Sequence, residues 1–395
     1  MVRSAYTAER GTQQGSDISG KEIFREKTFG VFMVNANNKK IYFELMRIIA
    51  VALVIFNHLA GYTLYQISSG VKQWLYMILT MVTRINVPFF FMISGALLLR
   101  KDEDYAIVVK KRLSRFVLIL ILFEGAYFLC YKVIYRVGRD VFNLNRFIHG
   151  VFAGDLDGLG SYWYLYAYIG MLLTLPFMQR IAKGIRKEDF WLLMFLHFCV
   201  FSFIPLINIL LIKAQIVGIS LSGSFSIPFV TGKQFFYPIL GYYLEEYVDV
   251  RKIKRKHFVY LISAAFVGIC ISCLCTVWEG ETTGIYTQNY VELFDYLITV
   301  VAFIIIKYFV VIGMPKVNDG KSKIGGGICF ISSLTFGIYL LDPLLKMLLY
   351  SKYNQAAELI FPTLIVSIGW VLISMVLGGT LTFVLKQIPG IKALI

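Results

Sequence analysis

The sequence predicts an all-α polytopic membrane protein with about ten transmembrane helices and with both termini in the cytosol. Apolar residues make up 58% of the 395 residues and charged residues only 16%, with a mean hydropathy of +0.69. Soluble domains carry about 25% charged residues. The apolar residues cluster in segments of roughly the length that spans a bilayer. The basic residues concentrate on one of the two sides that these segments define.

Ten apolar segments account for the predicted helices. They lie near residues 41–62, 74–99, 116–135, 162–179, 190–212, 233–248, 258–278, 291–312, 328–350 and 359–385. Together they form one predicted bundle, residues 41–386, followed by a cytosolic tail at 387–395. Residues 1–40 are polar and predict a disordered cytosolic tail. Met33 begins a stretch typical of a protein start, so we expect residues 1–32 to lie upstream of the true start codon.

The distribution of Lys and Arg sets the expected orientation. With the N-terminus in the cytosol, the inside segments carry 27 of these residues and the outside loops carry six. This asymmetry follows the positive-inside rule. The net charge of +15 therefore indicates contact with anionic membrane lipids and does not require nucleic acid as a partner. We expect a multi-pass protein of the cell membrane, in the bacterial plasma membrane.

Two predicted outside loops are longer than a simple turn. Residues 136–161 combine spaced aromatic and aliphatic residues with polar ones, which predicts an amphipathic helix at the outer interface. Residues 213–231 are rich in Gly and Ser. Both loops could shape an outer vestibule, and plain connectors explain them equally well.

The first apolar segment carries ionisable residues along one helical face. Arg47 and His58 are eleven positions apart, which places both on one side of a helix, roughly 16 Å apart. Ionisable groups inside a membrane point to a functional site. A neutral imidazole suits a general base acting on a hydroxyl, and a guanidinium suits an anion or a carbonyl under attack. Glu44, one turn before Arg47, is expected to pair with it.

Two arginines precede the third predicted helix. Arg112 and Arg115 are spaced i and i+3, so an α-helix would point them the same way. Two neighbouring guanidiniums can clamp a phosphate. Ordinary positive-inside charge is the alternative explanation.

Arg84 falls near the middle of the second segment, which implies an interior partner, and Glu124 in the third segment is a candidate. Pro88 is expected to kink the second helix. Ser94 and Gly95 are expected to allow close helix packing.

Other polar residues have weaker functional signals. Asp342 and Lys346 are spaced for an ion pair on one helix, and His197 is a second candidate site residue. Cys270, Cys273 and Cys275 have no nearby histidine or carboxylate, so we expect packing rather than a metal site.

In order and spacing, these motifs resemble those of the membrane acyltransferase-3 family. Matching stretches are the Arg47-to-His58 spacing, the R-x-x-R pair at Arg112 and Arg115, Pro88–Gly95, Trp163–Ala167 and Gly337–Leu340. Family members often have a histidine at the position of Asp342, so no catalytic role is transferred to that residue.

The resemblance implies transfer of an acyl group, usually acetyl, from cytosolic acyl-CoA to a hydroxyl of a cell-surface or lipid-linked glycan. Arg112 and Arg115 would bind the phosphates of CoA, Arg47 would guide the donor and His58 would be the base. Acyl-CoA is then a substrate, and no permanently bound cofactor is expected. Two alternatives remain open: a transporter of a small molecule or a lipid-linked sugar, and a non-catalytic membrane sensor on the same scaffold.

Overall fold

A computed structural model describes residues 39–395, apart from 62–64, 67, 136–143, 155, 157–159, 220–221, 223–226, 228, 319–321 and 361–362. The predicted tail at residues 1–40 therefore lies almost entirely outside the described residues. Regular structure in the described part is helical throughout. The predicted all-α class is confirmed.

Within the described residues, fourteen helices of eight or more residues form the bundle. They are α1 (Ile41–Phe56), α2 (Gly70–Thr83), α3 (Asn86–Leu98), α4 (Ser114–Tyr135), α5 (Leu144–Ala153), α6 (Trp163–Gly184), α7 (Lys187–Phe198), α8 (Ile204–Lys213), α9 (Lys233–Tyr247), α10 (Arg255–Thr283), α11 (Asp295–Tyr308), α12 (Lys323–Leu345), α13 (Ser351–Glu358) and α14 (Thr363–Leu385).

Eight helical stretches in the described part are long and apolar enough to cross a membrane. They are Ile41–Leu59, Gly70–Leu98, Tyr105–Ile134, Lys187–Lys213, Arg255–Thr283, Asp295–Gly313, Lys323–Glu358 and Thr363–Leu385. The two other predicted spans form α6 and α9, and α9 has only 15 residues, whereas a full span needs about 20. A count of ten, and the side on which each terminus lies, stay predictions.

The second predicted span is broken into α2 and α3. The break falls at Arg84 and Ile85, and Pro88 is the third residue of α3. A proline ring clashes with the carbonyl of the residue four positions earlier, which for Pro88 is Arg84. The break therefore lies where the expected kink from Pro88 would place it, and α3 begins around the proline.

Two glycines bring α3 and α9 into direct backbone contact. A Cβ added at Gly95 would lie 2.0 Å from the Pro238 carbonyl oxygen, and one added at Gly241 would lie 2.1 Å from the Met92 carbonyl oxygen. The close packing predicted from Gly95 is confirmed. Because the two helices cross at this distance, the position of α3 is tightly determined by α9.

The helix α12 packs closely against α14. A Cβ at Gly337 would lie 2.3 Å from the Thr382 side chain. Trp370 on α14 is only 1% exposed. The α12–α14 pair also contacts α1, and this arrangement places Asp342 of α12 near the end of α1.

The predicted helix within residues 136–161 is present as α5, Leu144–Ala153. Its Phe147 ring packs on Phe128 of α4, with ring centroids 5.6 Å apart. The Tyr166 hydroxyl donates to the Val151 carbonyl over 2.6 Å. The position of α5 at an outer interface stays a prediction. Residues 136–143 and much of the 213–231 loop lie outside the described residues, so the predicted vestibule is untested.

Candidate functional site

A cavity of about 160 Å³ lies where α1, α3, α6 and α12 meet. Its lining residues are Val54, Asn57, His58, Asn86, Val87, Phe90, Ser161, Trp163, Tyr164 and Tyr339. His58 is the titratable imidazole among them, and its side chain is 16% exposed.

His58 lies on a π-helical turn, Asn57–Gly61, that follows α1. The turn is held to α2 by two hydrogen bonds. The Thr83 hydroxyl donates to Asn57 Oδ1 over 2.9 Å, and Asn57 Nδ2 donates to the Thr83 carbonyl over 3.3 Å. Short π-helical turns are frequent at functional sites. Both bonded side chains are buried, so they hold the backbone beside His58 in place.

The side chain of His58 is bonded to Asp342. His58 Nδ1 lies 2.7 Å from Asp342 Oδ2, and Ser374 Oγ donates to Asp342 Oδ1 over 3.1 Å. When Asp342 is ionised, its carboxylate only accepts hydrogen bonds, and Nδ1 then carries the proton. The other ring nitrogen, Nε2, then has a free lone pair. Asp342 is 1% exposed, so its carboxylate is shielded from solvent and is hydrogen-bonded to these two side chains.

The expected ion pair between Asp342 and Lys346 is wrong. Lys346 Nζ donates to the backbone carbonyl of His58 instead. Asp342 of α12 and Lys346, which follows α12, therefore contact the same histidine. Asp342 binds its imidazole, and Lys346 binds its backbone carbonyl. The sequence showed Asp342 as an unusual buried acid, but its partner lies 284 positions away and could not be identified from spacing.

Reciprocal tyrosine hydrogen bonds join the turn before α6, Gly160–Tyr162, to α12 at the cavity. The Tyr162 hydroxyl donates to the Leu340 carbonyl over 2.6 Å, and the Tyr339 hydroxyl donates to the Ser161 carbonyl over 2.9 Å. The ring of Tyr164 meets Tyr339 edge-on, with centroids 5.9 Å apart. These contacts hold one wall of the cavity rigid.

Arg47 pairs with Glu44, as predicted, over 2.7 Å. Arg47 is not among the cavity-lining residues. It lies about three helical turns from His58 along α1, close enough to Tyr164 and Tyr168 of α6 to interact with both electrostatically. The structure therefore places Arg47 near Tyr164 and Tyr168 and outside the cavity itself.

An aromatic column on α6 leads from the cavity toward the start of α1. Tyr164 and Tyr168 have ring centroids 5.7 Å apart, and Phe116 packs on Tyr168 at 4.5 Å. Arg47, Arg112 and Arg115 all interact electrostatically with Tyr168. We call the end of the bundle at which α1 begins, where Lys39, Arg115 and Lys386 lie, the basic end.

The two arginines of the R-x-x-R pair have separate partners. Arg112 binds Glu103 through two hydrogen bonds of 2.8 and 2.7 Å, while Arg115 Nε donates to the Leu394 carbonyl over 2.9 Å. The hydrogen bonds from Arg112 hold the pKa of Glu103 below its ordinary value. Arg112 lies in a π-helical turn, Val108–Leu113, so α-helical spacing does not hold across the pair.

The expected pairing of Arg84 with Glu124 is wrong. Arg84 Nη1 lies 3.2 Å from Glu292 Oε1, and Nη2 donates to Gln288 Oε1 over 2.6 Å. Glu124 Oε1 instead lies 2.8 Å from the Tyr166 hydroxyl oxygen. Both partners of Arg84 come from the segment between α10 and α11. Neither Arg84 nor Glu124 lines the cavity.

His197 lies in a different part of the bundle from His58. Its ring stacks on Phe236 at a centroid distance of 3.7 Å, and Nδ1 is 3.2 Å from the Val230 carbonyl oxygen. It is buried and does not line the cavity. The structure therefore does not bring this second candidate to the site.

Comparison with known proteins gives one match. A family model described as an acyltransferase domain matches residues 40–385. The match runs from the start of α1 to the end of α14 and includes His58, Asp342 and Ser374. No curated protein and no solved structure matches the chain.

Proposed function

Since the chain belongs to the membrane acyltransferase-3 family, we propose that it transfers an acetyl group from acetyl-CoA to a hydroxyl of a cell-surface or lipid-linked glycan. The activity is that of a membrane acyltransferase, and the acetyl donor and the glycan acceptor are the proposed part. The hydrogen bond between His58 and Asp342 beside the cavity is the observation that carries the proposal.

His58 acts as the general base. Asp342 accepts the Nδ1 proton, so Nε2 of His58 can accept the proton of a hydroxyl in the cavity. The imidazolium formed in that step is stabilised by the carboxylate 2.7 Å away. This division of roles between a histidine and an orienting acid is common to acyl-transfer sites on unrelated folds. Asp342 is a positioning residue, because it acts through His58.

The proposed reaction is a direct acyl transfer. The acceptor oxygen bonds to the carbonyl carbon of the thioester while His58 takes the hydroxyl proton. The bond between that carbon and the CoA sulfur then breaks. The proton held by His58 passes to the departing thiolate, which leaves as CoA thiol and restores neutral His58.

The size of the cavity supports a short acyl group. An apolar cavity of about 150 Å³ accommodates a benzene molecule, and the cavity beside His58 is about 160 Å³. A two-carbon acyl group and the acceptor hydroxyl fit such a volume. Asn86 and Ser161 in the lining offer polar groups for the acceptor.

The donor is proposed to enter from the basic end, on the cytosolic side. The phosphates of CoA would remain there, near Arg115. The pantetheine arm would pass Arg47 and the Tyr168–Tyr164 column, which connects the basic end with the cavity. Arg47, paired with Glu44, would guide the arm. Arg112 would stabilise this end of the bundle through its two hydrogen bonds to Glu103.

Transfer of radiolabelled acetyl from acetyl-CoA to membrane glycan tests the proposal. The protein in vesicles should label the glycan, and His58→Gln should abolish the labelling. His257→Gln is the matched control, because His257 is exposed and should leave the rate unchanged. Failure of the wild-type protein to transfer acetyl to any membrane glycan would overturn the proposal.

The same preparation separates the two alternatives. A transporter would take up a labelled solute in a manner that requires His58, without acetyl transfer. A non-catalytic sensor would show neither transfer nor uptake. Buried ionisable residues occur in transporters as well, so both assays should be run on the same variants.

A further inference from the structure

Two side chains from neighbouring helical turns bind His58 at two different atoms. Asp342 Oδ2 lies 2.7 Å from His58 Nδ1, and Lys346 Nζ donates to the His58 carbonyl oxygen. Asp342 and Lys346 are one turn apart, because the backbone N–H of Lys346 bonds to the Asp342 carbonyl. Direct contacts therefore connect all three residues, and the ammonium group and the carboxylate lie around one histidine.

The contact from Lys346 lies at the end of the first helix. The π-helical turn that follows α1 ends at Gly61, and the last carbonyl groups of a helix have no donor within the helix. The same end is the negative pole of the helix dipole, which favours a cation. Lys346 therefore stabilises the turn in two ways, by its hydrogen bond and by its charge.

The positive charge of Lys346 is not cancelled by the group that it contacts. A carbonyl oxygen accepts a hydrogen bond but carries no net charge. Lys346 is only partly exposed, and Asp342, one turn before it, is 1% exposed and attracts it electrostatically. Buried charges in membrane proteins are costly unless opposite charges compensate each other. Each of these two groups therefore supplies the charge that the other requires.

Four titratable side chains interact with the carboxylate of Asp342. They are those of His58, Lys346, Tyr162 and Tyr339. The tyrosines are neutral at ordinary pH, and His58 must be neutral to accept a proton. Lys346 is therefore the cation among them, and it compensates the negative charge of Asp342 before the reaction begins.

The charge state of Asp342 decides which nitrogen of His58 carries the ring proton. An ionised Asp342 accepts the proton of Nδ1 and leaves a lone pair on Nε2. A neutral Asp342 would instead donate its own proton to Nδ1. The ring proton would then be on Nε2, and His58 could not accept the proton of a hydroxyl.

We propose that Lys346 is a positioning residue for the reaction: its ammonium group keeps Asp342 ionised and holds the backbone of His58, so that Nε2 keeps its lone pair. This inference rests on the proposed function, because it takes His58 as the base. Lys346 does not line the cavity and acts only through Asp342 and His58. A lysine that only capped the turn would need its hydrogen bond but not its charge.

Three substitutions of Lys346 separate its charge from its hydrogen bond. Lys346→Gln keeps a donor for the His58 carbonyl and removes the charge, Lys346→Met removes both, and Lys346→Arg keeps both. Lys346→Gln and Lys346→Met should each lower kcat about tenfold or more, as expected for the loss of one charged interaction. The KM for acetyl-CoA should stay unchanged, and Lys346→Arg should restore kcat. A wild-type kcat for Lys346→Gln would overturn the proposal.

The tautomer of His58 gives a readout that does not depend on acetyl transfer. The chain has four histidines, so nitrogen NMR of protein labelled at its histidine rings gives few signals, and His58→Gln assigns the signal of His58. Near neutral pH the wild-type protein should carry the ring proton on Nδ1. Lys346→Gln should move it to Nε2, and Lys346→Arg should not. An unmoved proton in folded Lys346→Gln would contradict the role of the charge.

The control variant is Lys352→Gln, because Lys352 is exposed and loses the same charge in the helix that follows. It should change neither kcat nor the tautomer. If Lys346→Gln does not fold, the wild-type spectrum still decides, since a proton on Nε2 of wild-type His58 would overturn the proposal. If the tautomer changes as expected but the wild-type protein transfers no acetyl, only the proposed function is wrong.

Discussion

Asp342 Oδ2 lies 2.7 Å from His58 Nδ1, although the two residues are 284 positions apart in the chain. The contact joins the turn after the first helix to the buried end of α12. It gives the histidine a defined tautomer and a fixed orientation beside the cavity. The carboxylate of Asp342 thus serves His58 from a distant part of the chain.

Asp342→Asn should reduce the rate of acetyl transfer at least about a hundredfold. The amide can donate to Nδ1, which would move the ring proton to Nε2 and remove the lone pair that accepts the hydroxyl proton. Initial rates at saturating donor measure the effect. Asp104→Asn is the control, because Asp104 is exposed and makes no capping hydrogen bond. Retention of half the wild-type rate would contradict the assigned role of Asp342.

Ser374→Ala should lower the transfer rate by about tenfold and leave the protein folded. Ser374 Oγ donates to Asp342 Oδ1 over 3.1 Å, and a hydrogen bond to a charged acceptor contributes roughly 1.5–3 kcal/mol. Ser367→Ala is the matched control on the same helix, because its hydroxyl bonds only to Thr363 of its own helix. Equal effects of the two variants would show that Ser374 does not act through Asp342.

Gly95→Ala should destabilise the bundle strongly. The added Cβ would lie 2.0 Å from the Pro238 carbonyl oxygen, so α3 and α9 must move apart, at a cost of about 1–3 kcal/mol or more. Thermal unfolding in detergent should show a lower Tm. Gly170→Ala is the control, because nothing lies within 4 Å of its added Cβ and alanine favours a helix. A Tm for Gly95→Ala equal to that for Gly170→Ala would disprove the backbone contact.

Glu103→Gln should change how stability depends on pH. Hydrogen bonding to Arg112 lowers the pKa of Glu103 below its ordinary value of 4.5. A carboxyl whose pKa is lower in the folded state stabilises the protein above its unfolded pKa. That contribution disappears as the pH falls through the folded pKa. The Tm of the wild-type protein should therefore fall more steeply between about pH 5 and about pH 3 than the Tm of Glu103→Gln. Parallel curves would contradict the prediction.

Features that depend on neighbouring residues could be predicted from the sequence. The Glu44–Arg47 pair is three residues apart and needs only a helix to form. Most helices followed from runs of apolar residues, and α5 followed from the spacing of apolar and polar residues in a loop. Gly95 marked a close helix contact because a residue without a Cβ permits it, although its partner α9 could not be identified.

Long-range partners were predicted wrongly or missed. Arg84 pairs with Glu292 rather than Glu124, and Asp342 pairs with His58 rather than Lys346. A buried charge requires some opposite or polar partner, and that requirement is visible in the sequence. Several helices could supply the partner, however, and only their packing decides which one does. The π-helical turn at Val108–Leu113 was not predicted either. It changes the direction of the Arg112 side chain from the one that an α-helix would give.

The sequence by itself determined that this protein is a helical membrane protein of the acyltransferase-3 family and that His58 is its candidate base. The helical membrane class follows from composition and local periodicity, the candidate base from the histidine within the first span, and the family from the resemblance of the motifs. The tertiary structure decided that Asp342 binds His58 and that Arg112 is held by Glu103. The physical reason is that hydrogen bonds and charges act over a few ångströms, so packing of distant segments selects their partners.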